Sequence, residues 1–137
     1  MKIFSQSSTQ MKEVNAKGYR ALLASYIGKL AEMHEGHQVF LVNMPDEGST
    51  IYPHFHDVDQ YQVVVNGGGR LGKQEASPVV FHYADAYTPY GPIVAAKGGI
   101  SFFTVRAACA SGAFPMPGSK NLIPGRPGRN IDRKSVV

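Results

Sequence analysis

The sequence lacks several features that would assign it to common functional classes. It contains one cysteine, Cys109, and no tryptophan. A single cysteine cannot form an internal disulfide, and no C-x-x-C pair is present, which excludes a disulfide-stapled domain, a zinc ribbon and a dithiol redox site. No apolar run approaches the roughly 18 residues of a transmembrane helix, and the N-terminal residues lack the apolar stretch of a signal peptide. We therefore expect a soluble, cytoplasmic protein without membrane contact.

Charged residues are also scarce, at 18% of the chain, and they are unevenly distributed. The formal net charge is +4, and all of it falls in residues 111–137, which hold five basic residues and one acidic residue. Residues 1–110 hold nine of each and are neutral overall. Because a nucleic-acid-binding face would concentrate positive charge on the domain itself, we expect no nucleic-acid partner.

The chain is rich in turn-forming residues and in short apolar runs. Its 137 residues suit one domain, and 15 glycines and nine prolines favour short strands over a helical bundle. Strand signals recur at 38–43, 51–56, 60–66, 79–83, 93–96 and 100–107. Residues 19–33 fit both a helical stripe and a strand, and the strand-rich context favours a strand. This spacing predicts an all-β sandwich or barrel.

Glycine and proline mark the expected turns and the end of the domain. The runs Gly67–Gly69 and Lys97–Gly99 each stand between two strand signals, and we interpret both as hairpin turns. After Ser111 the sequence loses its periodicity. We therefore divide the chain into one β-barrel domain over residues 1–110 and a basic, Gly/Pro-rich tail over 111–137, extended across the domain or a partner subunit.

One segment carries recognisable chemistry. His54 and His56 are two residues apart, so on a strand both imidazoles project from the same face, while Phe55 points the opposite way. Two such imidazoles can bind a transition metal through one neutral nitrogen each. Gln60 begins the next strand, and its even-numbered residues, Gln60 and Gln62, are expected to face the histidines.

This segment resembles the first motif of the cupin superfamily. That motif places a glycine, a His-x-His pair, a glutamate and a second glycine at fixed spacings. Gly48, His54, His56 and Gly67 occupy the matching positions, and Gln60 stands at the glutamate position.

The second cupin motif is only half present. Pro89-Tyr90-Gly91 matches its turn, but Val94 stands where the motif has a metal-binding histidine, and Gly98 stands where it has asparagine. The resemblance covers about residues 38–107. It implies a double-stranded β-helix, which is a small jelly-roll barrel, with a ligand pocket inside and often with a homodimeric assembly.

The resemblance also implies a metal centre, which this chain would build from an altered set of ligands. Cupins with complete motifs bind a divalent metal through three histidines and one glutamate. Here the candidates are His54, His56 and Gln60, with His82 on a neighbouring strand as a possible replacement ligand. A neutral amide oxygen and imidazoles favour a borderline transition metal such as Zn, Ni or Fe over Mg or Ca.

Two functions are consistent with these residues. The first is a metal-dependent cupin that acts on a small organic molecule, as a dioxygenase, isomerase or lyase. The alternative is a non-catalytic module that has lost the metal and binds a small molecule or sugar through polar and aromatic contacts. Gln62, Tyr87 and Tyr90 are the candidate ligand-binding residues in either case. A weaker third hypothesis is an interaction protein whose basic tail engages a partner or another subunit.

Overall fold

The protein is built from β-strands. A computed structural model describes residues 1–5, 9–30, 33, 35–125 and 132–136. In these ranges the regular structure consists of eleven strands and a short 3₁₀ helix at Lys120–Leu122, without an α-helix. The strands are β1 Gln10–Ala16, β2 Tyr19–Ile27, β3 Gln38–Met44, β4 Thr50–Ile51, β5 His54–Phe55, β6 Gln60–Leu71, β7 Gln74–Ala76, β8 Val80–Ala84, β9 Ile93–Arg106, β10 Phe114–Pro115 and β11 Asp132–Val136. The all-β prediction is confirmed, and the ambiguous segment 19–33 is a strand over Tyr19–Ile27, while residues 31 and 32 lie outside the described residues.

The strands pair antiparallel in a jelly-roll arrangement. The main sheet has the order β1-β2-β3-β9-β6-β8-β11, with β4 paired to β9 and β7 paired to β6. A second, two-stranded sheet joins β5 to β10. Because side chains alternate between the two faces of a strand, one face of β3, β6 and β9 is buried, and its apolar members include Phe40, Val42, Val64, Ile100 and Phe102.

The two glycine runs are bends inside long strands, and the predicted hairpin turns at these positions are wrong. β6 continues through Gly67–Gly69, and β9 continues through Lys97–Gly99. The chain reverses instead at Gly72–Lys73, between β6 and β7. The error arose because glycine in a strand signals either a turn or a bulge, and sequence alone does not separate the two.

The close approach of β6 and β9 explains why these positions are glycines. A Cβ on Gly67 would collide with the carbonyl oxygen of Gly99, and a Cβ on Gly69 would collide with that of Val94. Gly67 and Gly99 also have positive φ angles of 69° and 81°. Only glycine both lacks a Cβ and adopts a positive φ without strain. We call this pair of bends the glycine corner.

The segment after residue 110 is attached to β5. The backbone N–H of Ser111 donates to Asp57 Oδ1 at 3.0 Å, and its hydroxyl donates to Oδ2 at 2.6 Å. The Phe114 ring stacks on Phe55 with centroids 5.1 Å apart, and Met116 donates from its backbone to the carbonyl of Pro53. We call residues 111–116 the strap.

The described ranges contain no helix that is long and apolar enough to cross a membrane.

Candidate functional site

A cavity of about 350 Å³ opens inside the barrel. This volume is in the range of small-molecule sites, about 300–1,000 Å³. Its walls are largely apolar, and they include Phe40, Val42, Ile51, Ile93 and Phe102. Polar side chains gather at one end, namely His54, His56, Gln62, Tyr90, Thr104 and Arg106. The strap contributes Ala113 and Pro115 to the wall.

His54 and His56 lie side by side at this polar end, as their spacing predicted. Their rings are 5.0 Å apart and nearly perpendicular, and both side chains are buried. The Nδ1 of His54 is 2.8 Å from the carbonyl oxygen of Tyr52, and the Nδ1 of His56 is 2.6 Å from that of Gly112. A carbonyl oxygen can only accept, so each ring carries its proton on Nδ1 and keeps a lone pair on Nε2.

Both imidazoles are neutral at physiological pH. Burial is the main cause that lowers the pKa of His54 below 6.5. Burial, followed by the positive charge of Arg106 and then by His54, lowers the pKa of His56 to about 3. The site therefore holds the two histidines as hydrogen-bonding groups rather than as cations.

A directed chain of hydrogen bonds links a buried arginine to His54. Arg106 donates from Nε and Nη2 to the Oε1 of Gln60, both at 3.0 Å. The Nε2 of Gln60 donates in turn to the Tyr90 hydroxyl at 2.6 Å. That hydroxyl is 2.9 Å from the Nε2 of His54, which has the lone pair to accept its proton. Each group thus donates to the next, from the guanidinium of Arg106 to the backbone carbonyl of Tyr52, which accepts from His54.

Gln62 and His82 form a second buried pair next to this chain. The Nδ1 of His82 is 2.8 Å from the Oε1 of Gln62, and the His82 ring is 4.9 Å from the Tyr90 ring. Gln62 lines the cavity, whereas His82 lies behind it. Gln60 and Gln62 are both buried on one face of β6, and Tyr61 between them is exposed, which is the alternation that the sequence predicted.

Tyr87 is the one candidate ligand-binding residue outside the cavity wall. It packs against Phe55 with ring centroids 6.0 Å apart, and its backbone N–H donates to the carbonyl of His56 at 2.7 Å. Its φ of +65° is unusual for a residue with a Cβ. Tyr87 therefore supports the strand that carries the histidines, while Gln62 and Tyr90 face the cavity.

Sequence reasoning missed Arg106 and Gln38. Both are buried, and Arg106 Nη1 donates to the Oε1 of Gln38 at 2.6 Å. The signal was present in β9, where Phe102, Thr104 and Arg106 have the same parity and Phe102 is an evident core residue. An arginine at an inward position of an apolar strand marks a buried charge.

The divalent metal implied by the resemblance fits the two histidines but not the rest of the predicted set. The tautomers of His54 and His56, held by backbone carbonyls, leave a lone pair on each Nε2, which is the usual arrangement behind metal-binding imidazoles, but the Nε2 of His54 already accepts the Tyr90 hydroxyl at 2.9 Å. However, the oxygen of Gln60 already accepts two hydrogen bonds from Arg106. The charge of that guanidinium also repels a cation at this end of the cavity.

Tyr90 adds a steric reason for the poor fit. Its ring packs near all three histidines, with centroid distances of 4.6 Å to His54, 4.9 Å to His82 and 6.4 Å to His56. Across the residues that the structure describes, no group of three or more His, Cys, Asp or Glu side chains is placed to hold a metal ion. The donor set as a whole does not fit a divalent metal.

Comparisons with known proteins identify the fold. The sequence matches no protein-family model and no curated protein. The structure is similar to the polyketide cyclase RemF from Streptomyces resistomycificus, with a TM-score of 0.68 and 16% identity over 90% of this chain and 94% of that one. It is also similar to KdgF from Halomonas sp., with a TM-score of 0.55 and 18% identity over 79% of this chain and 96% of that one.

An oxalate decarboxylase is a third similar structure. It has a TM-score of 0.61 and 14% identity over 90% of this chain, which spans 39% of the decarboxylase chain. All three proteins are of one fold type, the type that the His-x-His motif indicated.

Proposed function

The chain has the cupin fold, and we propose that it binds a small organic molecule in the barrel cavity and transfers protons to or from it. One observation carries the proposal. The Tyr90 hydroxyl lies at the polar end of an apolar cavity, held between His54 and an amide that a buried cation polarises. Acid–base groups fixed in this way, out of bulk water, are typical of sites that catalyse proton transfer.

The side chains at the polar end have different roles, which follow from the hydrogen-bonding positions that each leaves to a ligand. A ligand oxygen placed near Arg106 would accept hydrogen bonds from the guanidinium, which stabilises negative charge developing on that oxygen, while the Tyr90 hydroxyl donates to His54. The Nε2 of His56 keeps a lone pair, and among the described residues no group donates to it. We assign His56 the acceptor role toward a ligand hydroxyl or an acidic C–H. A negative charge near Arg106 would offset the repulsion that lowers the pKa of His56, and so would strengthen it as a base.

This chemistry favours an isomerase or a lyase among the predicted reaction types. Both classes can proceed by proton transfer at a carbon next to a carbonyl or carboxylate group. The dioxygenase alternative requires a metal, which the donor set does not fit. RemF is a cyclase and another similar structure is a decarboxylase, so this fold supports more than one reaction.

The alternative is a binding module without catalysis, and one observation favours it. A histidine with a pKa of about 3 is a weak base at neutral pH. The cavity would then hold a metabolite through the same polar end without removing a proton.

A hydrogen-exchange assay separates the two functions. Protein treated with chelator is incubated in D₂O with α-tetralone, 2-indanone and phenylpyruvate, and loss of the α-proton signal is followed by NMR. We expect exchange faster than in buffer, reduced about 100-fold by Tyr90→Phe or His56→Gln, because removing one acid–base group typically has effects of this size. Tyr61→Phe is the matched control, because it removes a tyrosine hydroxyl from an exposed position outside the cavity.

Each outcome of this assay supports or contradicts the proposal. Binding of these compounds without exchange contradicts catalysis and favours the binding module. Absence of both binding and exchange contradicts a small-molecule function for the cavity.

We also propose a homodimer, in line with the resemblance. Apolar residues are exposed on the outer face of β6, β8 and β9, where Tyr61, Phe81 and Val105 are 53%, 39% and 37% accessible. Neighbouring exposed apolar side chains on one sheet face are typical of a surface that a second copy covers.

A further inference from the structure

Arg106 is a buried cation that no carboxylate of the described residues contacts directly, and Asp57 attracts it only at longer range. Its side chain is 7% exposed, and its hydrogen bonds go to the amide oxygens of Gln38 and Gln60. In the described ranges no Asp or Glu lies within 4.0 Å of the guanidinium. Buried arginines are normally paired with an acidic group, because removing an ion from water is unfavourable unless an opposite charge offsets it.

The guanidinium keeps two N–H groups that Gln38 and Gln60 do not use. Three of its N–H groups are used by Gln38 and Gln60, whereas a guanidinium has five. The Phe40 ring covers one side, 5.2 Å from the central carbon, and Arg106 itself lines the cavity. The two amides hold the group in a fixed orientation without neutralising it.

The other polar groups of the cavity do not cancel this charge. No Asp or Glu is among the described residues that line the cavity, and the side chains of Gln62 and Thr104 carry no charge. The polar end of the cavity is therefore electropositive, while its walls are apolar. A bare inorganic anion would leave these walls uncovered, whereas an organic acid would cover both surfaces.

We propose that Arg106 binds the anionic oxygen of a small organic acid, a carboxylate attached to an aromatic or aliphatic body that fills the apolar part of the cavity. This inference rests on the proposed small-molecule function and names the class of ligand. The carboxylate receives the remaining N–H groups of Arg106, and the apolar body lies against residues such as Phe40, Ile93 and Phe102. Arg106 is thus a specificity-determining residue that selects acids over neutral analogues.

Two probes of equal size test the inference. Binding of 2-naphthoate and 2-naphthamide to the full chain is measured by calorimetry in the presence of chelator. We expect naphthoate to bind about 10- to 100-fold more tightly, as charge-assisted hydrogen bonds to a buried group predict. Arg106→Gln should bring the two affinities within about twofold of each other, while Arg106→Lys should keep a preference for the acid. Arg70→Gln removes the same charge from an exposed position outside this cavity and should leave the preference unchanged.

The outcomes distinguish this inference from the proposed function. Equal affinities of the wild-type chain for both probes overturn the inference and leave the small-molecule function in place. A preference that survives in Arg106→Gln also overturns it, since another group would then recognise the acid. Binding of neither probe contradicts the small-molecule function itself. If Arg106→Gln does not fold, loss of the acid preference in a folded Arg106→Lys chain counts against the inference.

Discussion

Acidification should destabilise this protein in a pH range where most surface carboxylates are still ionised, and His56 should be the main cause. Its pKa falls from 6.5 to about 3 on folding, mainly through burial and the charge of Arg106. Below pH 6.5 the unfolded chain therefore binds a proton that the folded chain does not. Protons then favour unfolding, and the loss grows until the pH reaches about 3.

The size of the effect follows from the two pKa values. Between pH 7.5 and pH 5, linkage gives a loss of about 2 kcal/mol from His56 alone, out of a total stability of about 5–15 kcal/mol for an ordinary domain. His54, whose pKa is also lowered, adds to the loss in the same direction. The pKa of Asp57 is lowered as well, from 3.8, so its contribution is lost only at lower pH.

Urea unfolding followed by circular dichroism at pH 7.5 and pH 5, with chelator present, measures this loss. The His56→Gln variant keeps a donor for the carbonyl of Gly112 and cannot titrate, so the difference between the two pH values should shrink by about 2 kcal/mol. His37→Gln, at an exposed position, is the control and should retain the wild-type difference. The reasoning is refuted if His56→Gln loses as much stability between these pH values as the wild type does.

Three further predictions concern the metal, the glycine corner and the assembly. Protein purified without chelator should contain far less than one metal per chain and keep its Tm in EDTA; near-stoichiometric metal that disappears in His56→Ala would instead support the metal centre predicted from the motif. Gly67→Ala should destabilise the fold by more than about 3 kcal/mol, because the new Cβ collides with a backbone carbonyl and φ is positive at this position. Gly112→Ala is the control and should change stability by less than about 0.5 kcal/mol, because its Cβ meets open space. Light scattering should give a dimer mass for the wild type and a lower mass for Tyr61→Lys, and a monomeric wild type would contradict the proposed assembly.

The fold and the location of the site were predictable because they depend on local patterns. The alternation along β3 and β6 is a period of two residues, which the sequence displays directly. The same period placed His54, His56 and Gln62 on faces that meet in the cavity.

The chemistry of the site was less predictable because it depends on contacts between distant residues. Gln38 and Arg106 are 68 positions apart in sequence, and only the pairing of β3 with β9 brings them together. Gln60 occupies the metal-ligand position of the motif. Because Arg106 donates to the amide oxygen of Gln60, that oxygen binds a guanidinium instead. The position of the Tyr90 ring among the histidines likewise follows from a single bridge between His54 and Tyr90 that no sequence period predicts.

The glycine corner also determines how this cavity can be altered. β6 and β9 pass through it unbroken, so β9 pairs with β3 on one side of the bend and with β4 on the other, and β6 likewise pairs with β8 and then with β7. Neither half of the barrel can slide against the other without breaking the register of both strands. The backbone around the cavity therefore has a fixed shape. Redesign of the pocket for a larger or smaller ligand has to proceed by exchanging wall side chains such as Phe40, Ile51 or Phe102.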